Sequence, residues 1–71
     1  MYGKNIKRIR ESRNMTQTEL AERVGVTQEH ISRLENEDRN PSFPLLEKIA
    51  DSLKVPITDL LQDQIKEART G

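Results

Sequence analysis

Seventy-one residues suffice for one small domain, which at this size buries only about 60% of the surface its unfolded chain exposes. Only 3% of the residues are aromatic, 32% are apolar and none is cysteine, which suits short helices over a large sheet and excludes a disulfide framework or a thiolate metal site. Apolar runs fall well short of the ~18 residues of a membrane span, and the N-terminal MYGKNIKRIR lacks an apolar signal segment, so the expected location is the cytoplasm, with no membrane partner.

Five helices and no strand are expected along the chain. The first runs from about Lys4 to Arg13, with Ile6 and Ile9 one turn apart among cations. The second opens at Thr16, where Glu19 completes a capping box: each side chain can accept from a backbone N–H that would otherwise lack a partner. It stops before Gly25, whose missing Cβ tolerates the left-handed conformation common at helix C-caps. Thr27 caps the third helix, which extends to about Glu35. Asn36 to Ser42, NEDRNPS, reads as a loop, because Pro41 forbids continuation. Ser42 is then a natural N-cap for a fourth helix over Phe43–Leu53, with Pro44 in its first turn. After Pro56 a fifth helix is expected from Ile57 or Thr58 to about Ala68.

The pattern predicts an all-α, compact five-helix bundle forming a single domain over 1–71. Its expected core is Ile6, Ile9, Met15, Leu20, Ala21, Val24, Val26, Ile31, Leu34, Leu46, Ile49, Ala50, Leu53, Val55 and Leu60. The zero net charge conceals polarity. Residues 1–13 carry +4, residues 14–41 carry −3 and residues 42–71 carry −1. Such a distribution suits either a solvated surface or one edge that attracts phosphate.

The informative stretch is TQTELAERVGVTQEHISRLE, residues 16–35. Leu20, Ala21 and Val24 give its first helix an apolar stripe. Ile31 and Leu34 do the same for the second, leaving Gln28, Glu29, His30, Ser32 and Arg33 outward. A short helix, polar on one face and braced by another across a tight turn, suits the DNA major groove. Glutamine can bond adenine N6 and N7 together, arginine can bond guanine O6 and N7, and glutamate can accept from cytosine N4. Gln28 and Arg33 are therefore expected to read bases, and Glu29, which phosphate repels, is either a third base-reading residue that sets specificity or a bystander. Thr27, His30 and Ser32 are expected phosphate or groove contacts.

The strings IKRIRESR, TQTELAERVGVTQEHISRLE, RNPS and LEKIADSLKVPITDLL, in that order, resemble the Cro and lambda-repressor type of helix-turn-helix regulator. The resemblance covers roughly Tyr2 to Leu61. It implies a lambda-repressor-like domain whose second and third helices form the DNA-binding motif. It also implies sequence-specific regulation of transcription, mostly repression, by homodimers on palindromic operators. Gln17 then falls where the family touches the phosphate backbone, and Asn36, Arg39 and Asn40 where the following loop approaches phosphates. Arg10 and Glu35 resemble an ion pair that ties the first helix to the end of the third. Two positions depart from the family's usual pattern. Glu37 and Asp38 stand where glycine and a basic residue are frequent, and Met15 follows Asn14 where glycine is frequent.

The fifth helix carries a stripe, Ile57, Leu61, Ile65 and Ala68, whose first three members are candidates for a dimer seam. The other functional class that the sequence leaves open is a protein-docking module of the same fold, favoured by the neutral charge and the acidic Glu37-Asp38 loop. Within the regulator class, an antitoxin or a restriction-modification controller that represses its own synthesis fits equally well. An enzyme is not expected. One histidine, no cysteine and no glycine-rich phosphate loop supply neither a nucleophile, a metal site nor a cofactor cradle, and no small-molecule ligand is evident.

Overall fold

The computed structural model describes residues 2–61, and among them only helices and turns occur. The elements are α1 (Tyr2–Ser12), α2 (Gln17–Val24), α3 (Gln28–Glu35), α4 (Phe43–Leu53) and a 3₁₀ helix at Ile57–Leu61. The N-caps lie where the sequence puts them. Thr16 accepts from the Glu19 N–H and Glu19 accepts from the Thr16 N–H, closing the capping box. Thr27 accepts from the His30 N–H and Ser42 from the Leu45 N–H.

All four α-helices end alike. A residue in the left-handed region (Asn14, Gly25, Glu37 and Lys54, φ between 56° and 80°) is followed by one whose N–H reaches back five positions. Those bonds run from Met15 to Arg10, Val26 to Ala21, Asp38 to Arg33 and Val55 to Ala50, at 3.0–3.1 Å. They satisfy carbonyls that the helix itself leaves without a donor. Only one of the four left-handed residues is glycine.

Among the described residues twelve apolar side chains form the core, and all twelve are among those expected from periodicity. Met15, Val26 and Val55 pack partly buried at its margin. Two buried residues were not anticipated. Asn5 donates its side-chain N–H to the Leu60 carbonyl (2.8 Å) and accepts from Arg8 (2.9 Å), bonding α1 to the chain's return. Gly3 lies where an added Cβ would fall inside contact distance of the Leu34 and Glu35 carbonyl oxygens. This approach to the end of α3 carries α1 back to Tyr2, two residues before the expected start.

The five-helix expectation requires correction. The described part of the fifth element is a single 3₁₀ stretch, not an α-helix, so among the described residues four α-helices and this turn make up the bundle. Pro56 holds the entry, the Asp59 N–H bonds the Pro56 carbonyl three residues back (2.9 Å), and the tight turn aims Leu60 into the core. The remainder of the expected helix, 62–68, lies outside the described residues.

Candidate nucleic-acid interface

The two helices of the central motif are joined by Gly25, Val26 and Thr27. Gly25 is left-handed (φ 80°), Val26 packs against the core and Thr27 caps the next helix. Leu20, Ala21 and Val24 of α2 face Ile31 and Leu34 of α3 within one core cluster. The burial of Ile31, Leu34 and Glu35 fixes the rotation of α3. Gln28, Glu29 and Arg33 are consequently exposed, while His30 and Ser32 lie at half-buried flanks.

Beneath this face runs a polar network. Glu35, whose side chain is 1% exposed, accepts from Arg10 Nε (2.6 Å) and from a terminal nitrogen of the same guanidinium (3.1 Å). Arg10 uses its other terminal nitrogen on the Met15 carbonyl (2.6 Å), so one side chain joins α1, α3 and the loop before α2. The bond to Glu35 holds Arg10 above the ordinary guanidinium pKa, against the opposing effect of burial. No buried side-chain polar atom among the described residues is without a partner.

The network continues outward. Gln17 donates to Glu35 Oε1 (2.9 Å), and its oxygen accepts from Gln28 Nε2 (2.6 Å). A buried carboxylate thus positions the first residue of α2, which in turn positions the first residue of α3. On the next turn Arg33 donates to Glu29 Oε2 (2.9 Å). Thr27, Glu29, His30, Arg33 and Arg39 together line a shallow cleft. Asn36 caps α3, and Asn40 is exposed on the loop that also carries Arg39.

Sequence reasoning paired Arg10 with Glu35 but missed three links: Glu35 to Gln17, Gln17 to Gln28, and Arg33 to Glu29. The last had a visible signal, since acid and base four residues apart on a helix are neighbours. The first two join residues 18 and 11 positions apart and had none. Of the candidate dimer residues, Ile57 is half-buried and packed on its own core, Leu61 is half-buried, and Ile65 lies outside the described residues.

A helix-turn-helix family model matches residues 6–60. The chain belongs to the Cro and lambda-repressor type of helix-turn-helix proteins. It is 37% identical over 65 residues to the HTH-type transcriptional regulator SinR of Bacillus subtilis, covering 90% of this chain and 59% of that protein. It is 33% identical over 67 residues to the immunity repressor protein of Bacillus phage phi105, covering 92% of this chain and 46% of that one. The chain therefore spans about half the length of these curated relatives. Among solved structures it resembles SinR in complex with DNA, with a TM-score of 0.80 and 37% identity over 86% of this chain and 98% of that one. Among the described residues, no helix is long and apolar enough to cross a membrane.

Proposed function

We propose that this domain binds double-stranded DNA sequence-specifically and regulates transcription, acting as a repressor. The observation that carries this reading is the exposed face of α3, where Gln28 is held by Gln17 and Arg33 lies one turn beyond Glu29. Its support from without is the fold shared with SinR, solved on DNA, and the sequence similarity to an immunity repressor. In this reading Gln28 and Arg33 address base edges, adenine and guanine by their donor and acceptor patterns, at about 1–3 kcal/mol of discrimination each. Gln17, Thr27, His30, Ser32, Asn36, Arg39 and Asn40 address phosphate or groove walls and set register without reading sequence. Arg10 and Glu35 touch no DNA; they hold Gln17 in place.

Eight residues of α3 read too few base pairs for tight binding by one copy. Two copies on half-sites about 34 Å apart supply the missing contacts. Ile57 and Leu61, at the exit of the fold, are the described part of the surface that would join them.

Selection of duplexes from a random library, followed by gel shifts across a salt series, tests the reading. Enrichment of a defined palindrome, with affinity that falls steeply with salt, is the expected result. Arg33→Ala should relax preference at one position, whereas Gln17→Ala should weaken all sequences and, by releasing Gln28, also blunt preference at the position Gln28 addresses. No enrichment, together with salt-insensitive binding, refutes the proposal and leaves a protein-docking role for the same face.

A further inference from the structure

Glu29 is the one carboxylate in the cleft that Arg33, Arg39, His30 and Thr27 share with it. Its pair with Arg33 (2.9 Å) is more than half exposed on both sides, so water screens it and the free protein gains little stability from it. A residue that does little for stability and repels phosphate needs another account.

We propose that Glu29 determines specificity by withholding Arg33 from phosphate oxygens and leaving it for a guanine edge. The inference rests on the DNA-binding reading above. Its chemistry follows from the guanidinium, which carries five N–H donors in a planar fork. The single bond to Glu29 Oε2 occupies one terminal nitrogen once. Four donors remain, and whichever hydrogen of that nitrogen Glu29 takes, one edge of the guanidinium keeps two parallel N–H groups for guanine O6 and N7. A guanine is therefore read with the Glu29 bond intact. The cytosine paired to it presents an N4 donor that the second carboxylate oxygen can accept.

A phosphate makes the opposite demand. To reach it Arg33 has to swing away, and Glu29 is left unpaired in the negative field of the backbone. The carboxylate thus penalises contacts that any sequence offers and tolerates the one base pair that both side chains fit. Specificity here is a difference between two affinities, and Glu29 acts by lowering the wrong one.

Glu29→Gln keeps the length and an acceptor but removes the charge. Wild type, Glu29→Gln, Arg33→Gln and the double variant are compared on a duplex selected by wild type and on random duplex, at several salt concentrations. Glu29→Gln should bind random duplex more tightly, with a salt slope steeper by about 0.9, the mark of one added phosphate contact. Its affinity for random duplex should then fall about threefold more than that of wild type between roughly 50 and 200 mM salt. Affinity for the selected duplex should change less, so selectivity drops. In the Arg33→Gln background the same Glu29 change should leave the slope unaltered, because no guanidinium remains to be released.

Unchanged selectivity in Glu29→Gln overturns the inference. So does a steeper slope that persists without Arg33, which would make Glu29 a general repulsive charge. A wild type that selects no duplex overturns the DNA-binding reading itself, a result distinct from normal wild-type selection with an indifferent Glu29→Gln.

Discussion

Glu35→Gln is a one-atom change with a large expected consequence. The carboxylate is 1% exposed and accepts three bonds, two from Arg10 and one from Gln17. An amide in its place offers one oxygen to those three donors and turns an N–H₂ toward at least one of them. Arg10, whose side chain is only 9% exposed, keeps its charge but loses its buried counterion, and only the exposed Glu11 carboxylate at 4.0 Å remains near it. Removing one partner of a buried pair costs about 3–5 kcal/mol, because the stranded ion keeps its desolvation penalty. A domain of this length has only about 4–11 kcal/mol in total, so the loss takes a large share of it. Urea melts followed by far-ultraviolet circular dichroism measure the change, and the thermal midpoint should fall by at least about 12 °C. The control is the double variant Arg10→Met with Glu35→Leu. It removes both charges and should recover most of the loss, since apolar replacement of a buried pair is often neutral or stabilising. A cost below about 1 kcal/mol for Glu35→Gln, the range of an exposed pair, refutes the reasoning.

Further predictions test other parts of the fold. Gly3→Ala should destabilise by about 1–3 kcal/mol in urea melts despite alanine's better helix propensity, because its Cβ meets two backbone carbonyls that cannot give way. Lys54→Gly should stabilise by up to about 1 kcal/mol in the same assay, since it frees a left-handed C-cap (φ 59°) of its Cβ. Glu19 has its pKa lowered by the Thr16 backbone N–H it accepts. A lowered folded-state pKa contributes stability above the unfolded value, lost as pH falls through the folded one. Thermal midpoints of wild type and Glu19→Gln should therefore differ most near neutral pH and converge below the ordinary carboxylate range. Leu61→Asp should shift sedimentation toward monomer if the exit of the fold joins two copies.

The twelve core residues and three N-caps were legible because each depends on local spacing. Apolar residues three and four apart must share a helix face, and a hydroxyl before a helix has an N–H within reach. Helix ends were half legible. Gly25 and Asn14 announce left-handed positions, but Lys54 and Glu37 carry a Cβ there and look like ordinary surface residues. Glu37 stands where the family often has glycine, so the departure noted in the sequence has a backbone consequence as well as an electrostatic one. The fifth helix failed for a related reason. Periodicity from Ile57 onward fits an α-helix, yet a 3₁₀ turn also places Leu60 inward, and the bond from Asn5 to its carbonyl comes from 55 residues away. Asn5 and Gly3 were invisible because their roles depend wholly on what packs against them.

The same distinction separates the two parts of the interface. Residue types on the exposed face of α3 follow from its own sequence, whereas their fixed positions do not. An isolated eight-residue helix is unstable in water, so α3 takes its shape from tertiary contacts. Local caps finish its two ends, Thr27 at the start and Asp38 bonding back to Arg33 at the close, while the tertiary contacts lie on its underside, at Ile31, Leu34 and Glu35. Because Glu35 also holds Gln17, and Gln17 holds Gln28, stability and the proposed base-reading face share one buried carboxylate. Glu35→Gln should accordingly weaken DNA binding even at temperatures where the variant remains folded. Gly3→Ala, which disturbs the same helix end but removes no member of the network, should weaken it less at equal stability. Equal losses in the two variants would reduce the network to a matter of stability alone.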